Sequence, residues 1–152
     1  MAEAGPRTPK QRKSDALAML RARQADLWVA SASGSGVAHL VPLSLAWDGE
    51  RVVVAMDRRS PTARNIISSG TARLAVGPTR DVVMIDATLD AVMELETAPD
   101  RAAAYADQAG WDPRTAGENY VLLALRPERV QAWREADEIA GRTLMRDGIW
   151  LV

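Results

Sequence analysis

Residues 38–56 read AHLVPLSLAWDGERVVVAM, and this stretch decides the fold class. Two runs of β-type residues flank Asp48-Gly49, a pair with the backbone freedom that closes a tight hairpin. In the first run Val41, Leu43, Leu45 and Trp47 share one face, by the two-residue period of an extended chain. The opposite face carries Leu40, Pro42, Ser44 and Ala46, which are mostly small. Pro42 has no amide hydrogen to give to a ladder, so it marks an edge, a bulge or an interrupted pairing.

The neighbouring segments carry the same signal. Residues 26–33 (DLWVASAS) predict a strand closed by Gly34-Ser35-Gly36. No helix start follows those glycines, so they make a turn and not a phosphate loop. Residues 71–76 form another strand. Residues 82–95 then alternate, with Val83, Ile85, Ala87, Leu89, Ala91, Met93 and Leu95 on one face and Asp86, Thr88, Asp90 and Glu94 on the other. That is the pattern of a half-buried antiparallel strand. Residues 120–125 and 129–133, separated by Pro127, predict two more. The end, GRTLMRDGIWLV, has its own Asp147-Gly148 turn.

Three helices complete the reading: residues 14–23, 61–69 and, from Thr97 and Pro99, a segment ending near Gly110. Hairpin-linked strands with short flanking helices give an α+β, mainly β fold built on a small antiparallel barrel. Residues 1–13 (MAEAGPRTPKQRK) are polar with two prolines and are expected to be a flexible tail. Residues 14–152 are expected to form one domain, without internal repeat.

Composition narrows the function. The chain has 152 residues, a net charge of −1, and 47% apolar and 26% charged residues, ordinary for a globular protein. No basic field points to nucleic acid, and the tryptophans at 28, 47, 111, 133 and 150 do not interleave with basic residues as single-strand binders require. An oligonucleotide-binding barrel is disfavoured on both grounds. No apolar run is long enough to span a membrane, and residues 1–13 are expected to be neither a secretory signal nor a membrane anchor, so the expected compartment is the cytoplasm. There is no cysteine, which excludes thiolate catalysis and cysteine metal sites. His39 is the single histidine, which leaves a haem ligand as its only metal role. Asp86, Asp90 and Glu94 span more than ~20 Å of extended chain, too far for one ion, and make a solvated face. No metal site is expected, and no catalytic constellation can be assembled.

One segment resists a bland account. In RRSPTARNII, residues 58–67, Ser60 is a favoured N-cap and Pro61 suits the first helical position. Gly70 suits the C-cap. Ala63, Ile66 and Ile67 fall on the inward face, and Thr62 and Asn65 on the other. Yet Arg58, Arg59 and Arg64 crowd the positive end of the helix dipole. Either the arginines are merely exposed beside a cap, or the helix amides, Ser60, Thr62 and the arginines grip an anion such as phosphate.

The ordered set HLVPLSLAWDG, RVVVAM, SPTARNI, ARLAVG and LRPERVQAW resembles the pyridoxamine 5'-phosphate oxidase-like flavin-binding family, over roughly residues 14–133. The resemblance implies a six-stranded antiparallel split β-barrel and a homodimer with two cofactor sites at its interface. It places Val41, Pro42, Leu43 and Ser44 along the flavin ring. It brings the backbone of Ala55 and Met56 near the ring or ribityl chain, and puts Ser60, Thr62, Arg64 and Asn65 at the phosphate. Where relatives commonly carry a basic residue this chain has Thr62, so Arg58, Arg59 or Arg64 would supply the charge. The absence of a histidine after His39 argues against pyridoxamine phosphate as substrate. The implied cofactor is FMN or the 8-hydroxy-5-deazaflavin coenzyme. The implied activity is hydride transfer with a small substrate; a non-catalytic flavin or haem carrier or sensor is the alternative.

Overall fold

A computed structural model describes residues 5–152. The hairpin region folds as β2 (Ala38–Ser44), β3 (Ala46–Trp47) and β4 (Val52–Asp57). Its loop is wider than a two-residue turn because the Asp48 carboxylate accepts the Glu50 and Arg51 amides, at 2.9 and 2.6 Å. Leu45 separates β2 from β3 and is fully buried, so the chain changes partners there.

β1 (Asp26–Ala32), β5 (Thr71–Val76), β6 (Val82–Glu94) and β7 (Tyr120–Trp133) complete the long strands. The sheet order is β2-β1-β5-β6-β7-β4-β3, antiparallel at every pairing. β8 (Thr143–Arg146) pairs with β7, and β9 (Ile149–Trp150) pairs with β8 across the Asp147-Gly148 turn. Six strands are long, the number the resemblance implies, and three short strands extend them. β2 approaches β4 without pairing, so the sheet stays open along that seam. Pro42 lies in β2, an edge strand, where its missing donor costs no ladder bond.

Two expectations change in β6 and β7. Residues 120–133 are one strand, not two: the ladder steps past Glu128, so Pro127 sits at a bulge. The Glu128 carbonyl then accepts the Gly148 amide at 2.9 Å and holds the last hairpin. A second step in the ladder, at Asp90 in β6, reverses the side-chain alternation. Val83, Ile85, Ala87 and Leu89 therefore pack into the barrel, with Leu74, Leu123 and Leu125. Met93 and Leu95 pack outside it, with Ala55 and Leu122, under α3 (Pro99–Ala109). Six of the seven apolar residues expected on one face of β6 thus divide between two cores, and Ala91, beside the step, belongs to neither.

The first helix, α1, spans Pro9–Arg21 and not residues 14–23. Thr8 caps it, accepting the Gln11 amide at 3.2 Å, with Pro9 in the first turn. Residues 9–13 of the expected tail are therefore helical, and Met1–Ala4 lie outside the described residues. Arg7 is buried, its guanidinium bonded to Glu138 and Asp15 at 2.7 and 2.9 Å. Arg12 is buried too and donates to the Glu138 carbonyl at 2.8 Å. A start as polar as this one is ordered by ion pairs, which an apolar-periodicity reading does not register. No helix among the described residues is long and apolar enough to cross a membrane.

Candidate binding cleft

α2 spans Pro61–Ser69, as the cap and proline predict. Ser60 Oγ accepts the Ala63 amide at 3.2 Å, and Gly70 ends the helix in the left-handed region at φ 74°. The helix is turned from its expected phase. Thr62 is buried along with Ala63 and Ile66, while Ile67 is 41% exposed. Packing of α2 against β1 and β2 sets this phase, and it aims Thr62 inward.

Beside the α2 N-terminus lies a cleft of about 530 Å³. Val41, Pro42 and Leu43 of β2 make one wall, the ends of β4 (Ala55, Met56, Asp57) another, and Ser60, Pro61 and Thr62 the polar end. His39, Trp111 and Tyr120 complete it. Seven of the expected site residues meet here: Val41, Pro42, Leu43, Ala55, Met56, Ser60 and Thr62. Ser44, Arg58, Arg64 and Asn65 lie outside the lining. The Ser44 carbonyl instead accepts the Tyr105 hydroxyl at 3.4 Å, and Asn65 donates to Ser31 Oγ at 3.2 Å.

The arginines divide. Arg59 pairs with Asp57 at 3.1 Å, and its bonds hold that carboxyl below the usual range. Arg58 is ion-paired with Glu94. Arg64 is exposed and has no carboxylate partner among the described residues. The other acids of β6 are matched in the same way, Asp86 by Arg73 and Arg129, Asp90 by Arg51 and Arg126. No cluster of potential metal ligands occurs among the described residues.

The sequence reading did not place His39, Asp57, Pro61, Trp111 and Tyr120 in the site. Tyr120 was accessible through pairing, because it stands opposite Asp57 in the β4–β7 register. Trp111 follows the left-handed Gly110 that ends α3, far along the chain from β2, and no local spacing reveals it.

No protein-family model and no curated protein matches the sequence. Solved structures do. An F420 reductase superimposes with a TM-score of 0.63 at 16% identity, over 74% of this chain and 94% of its own. A pyridoxamine 5'-phosphate oxidase-related, FMN-binding protein from Nostoc punctiforme gives 0.55 at 17%, over 82% and 78%. A heme-binding protein from Mycobacterium smegmatis gives 0.68 at 16%, over 96% and 60%. Such identities speak to architecture alone. The chain has the pyridoxamine 5'-phosphate oxidase-like fold, an open antiparallel split barrel.

Proposed function

We propose that this chain is a flavin-binding oxidoreductase, a cytoplasmic homodimer that transfers a hydride between FMN, or the 8-hydroxy-5-deazaflavin coenzyme, and a small substrate. The observation that carries the reading is one cleft that joins an apolar strand wall to a helix N-terminus. Val41, Pro42 and Leu43 suit the flat, weakly polar ring. At the other end Ser60 and the buried Thr62 stand at the positive end of α2, with Arg64, which has no carboxylate partner among the described residues, one turn on. The residues present therefore fit a ligand with a planar ring and an anionic tail. The bound ring would supply the hydride chemistry, and the chain would supply binding, orientation and electrostatics.

The outer face of β1 and β2 supports a second copy as partner. Trp28 and Leu40 are 49 and 60% exposed there, Trp28 stands opposite Pro42 in the ladder, and Val37 is 65% exposed in the turn that joins the two strands. Exposed apolar area of this kind marks a contact surface. Pro42 also lines the cleft, so a partner seated on this face would border the ligand. Sedimentation velocity of the native chain and of Leu40→Glu checks the dimer, which the variant is expected to weaken.

His39 favours a second reading, haem carriage, because the only histidine of the chain lines the same cleft. Titrating the purified protein with FMN, the deazaflavin coenzyme and haemin separates the two. Tight binding of either flavin, with reversible reduction in the complex, supports the oxidoreductase. Haemin binding alone, lost in His39→Ala, moves the assignment to a carrier. Binding of none of the three sinks both.

A further inference from the structure

The chain has 5 tryptophans, 2 tyrosines and no phenylalanine, and both tyrosines meet Trp111 beside the cleft. Tyr105 lies in the outer core at 1% exposure, and its burial pushes the phenol up to about 12. Trp111 packs edge-to-face on it, with centroids 5.8 Å apart and planes at 89°. Tyr120 continues the series at 6.2 Å and 87°. Core packing accounts for Tyr105. Trp111 and Tyr120 pack against the same core but stay half-buried and also line the cleft, so core packing uses only part of each ring.

The loop holds Trp111 in a preset position. Gly110 is left-handed at φ 83°, and a Cβ there would meet the Gln24 side chain at 2.8 Å. On the other side Asp112 accepts the Arg114 amide at 2.9 Å and also binds the Arg114 guanidinium. A tryptophan fixed between two such anchors, and braced by two tyrosines, gives a rigid flat surface at little entropic cost.

We infer that Trp111, braced by Tyr105 and Tyr120, is the ring-binding residue of the cleft and selects ligands that carry a planar conjugated ring. The inference rests on the flavin reading of the cleft and adds a division of labour to it. Trp111 recognises the ring, and the α2 end with Ser60 and Arg64 recognises the anion.

Calorimetric titration with FMN and with riboflavin, which has the ring but no phosphate, tests it. Trp111→Ala is expected to weaken both ligands by the same factor, roughly tenfold by the usual contribution of aromatic stacking. Trp111→Phe is expected to recover most of that loss, and Trp150→Phe, in the last hairpin, to change neither. Wild-type-like affinity of a folded Trp111→Ala overturns the inference while leaving the flavin reading intact. Loss of FMN binding with riboflavin binding retained also overturns it, because the residue would then act on the phosphate end. If the wild type binds neither ligand and does not bind the deazaflavin coenzyme, the flavin reading falls and the inference with it.

Discussion

Arg58 forms an ion pair with Glu94 that ties the segment entering α2 to the end of β6. Together with Arg59–Asp57, at 3.1 Å, it neutralises two of the three arginines that crowd the α2 N-terminus in the sequence. The charge pattern is therefore mostly internal, and of the three only Arg64 has no carboxylate partner among the described residues. Both partners of the Arg58–Glu94 pair are about half exposed, at 46 and 56%, so the link is weak and an incoming anion can compete for Arg58.

Glu94→Gln frees Arg58 without removing it. A surface pair contributes about 0.2–1 kcal/mol, so FMN affinity is expected to rise by up to about fivefold. The gain should shrink at high salt, as screening of exposed charges requires. Titrations at low and high ionic strength check both. An unchanged dissociation constant would remove Arg58 from anion binding altogether.

Ser60→Ala with Arg64→Ala attacks the anion end directly. Charge-assisted contacts contribute about 1.5–3 kcal/mol, so FMN should bind more than tenfold more weakly. Riboflavin, without the phosphate, should bind the double variant as it binds the wild type. Ser60 also caps α2, accepting the Ala63 amide at 3.2 Å, and its loss is expected to cost about 1 kcal/mol of stability. Chemical denaturation separates that cost from the loss of binding. Equal FMN affinity in a folded double variant would dismiss the phosphate assignment.

The legible parts of this chain are those written in local spacing. Ser60-Pro61 and Gly70 gave both ends of α2, and Asp147-Gly148 gave the last hairpin, because caps and turns depend on a few adjacent residues. The same signature stands at Thr8-Pro9, but the apolar stripe that marks the helix begins only at Ala16, a full turn and more inside it. What stayed hidden depends on pairing across the chain. The ladder step at Asp90 turns half of β6 toward α3, and nothing in the alternation of β6 itself reports it. Trp111 reaches the cleft only through the packing of α3 on the sheet. Arg58 found its carboxylate on β6, out of reach of local spacing, while Arg59 found Asp57 only two residues before it, so two arginines read as free are paired.

Glu138 anchors the start of the chain, and acid should release it. Hydrogen bonds from the Arg7 side chain hold its carboxyl down to about 2, against 4.5 unperturbed. Arg12, Asp15, Asp81 and Arg134 surround the same contact. A carboxyl depressed by folding contributes stability that is complete above about 4.5 and is lost as the pH falls through about 2. Urea unfolding of the wild type should therefore show a steep loss across that window. Glu138→Gln should remove this part of the acid dependence and lower stability at neutral pH. The loss should approach about 3 kcal/mol, the low end for breaking a buried pair, since Arg7 keeps Asp15. An unaltered pH profile in the variant would show that the contact adds nothing to folding.

Gly77 turns β5 into β6, and there the backbone geometry permits only glycine. Its φ of 85° is left-handed, and a Cβ would stand 2.5 Å from the Asp81 carbonyl and 3.0 Å from Met19 Sδ. The methionine can swing aside, but the carbonyl belongs to the turn and cannot. Gly77→Ala should thus cost more than the about 1–2 kcal/mol of the left-handed conformation alone. Gly34 supplies the contrast, because it has no left-handed φ and a methyl added there would meet no atom within 4 Å. Gly34→Ala should be neutral or stabilising by up to about 1 kcal/mol, by restricting the unfolded chain. Neither glycine lines the cleft, so both variants should bind FMN as the wild type does at temperatures where they are folded. Equal stability losses in the two, by thermal or urea unfolding, would refute the steric account of the β5–β6 turn.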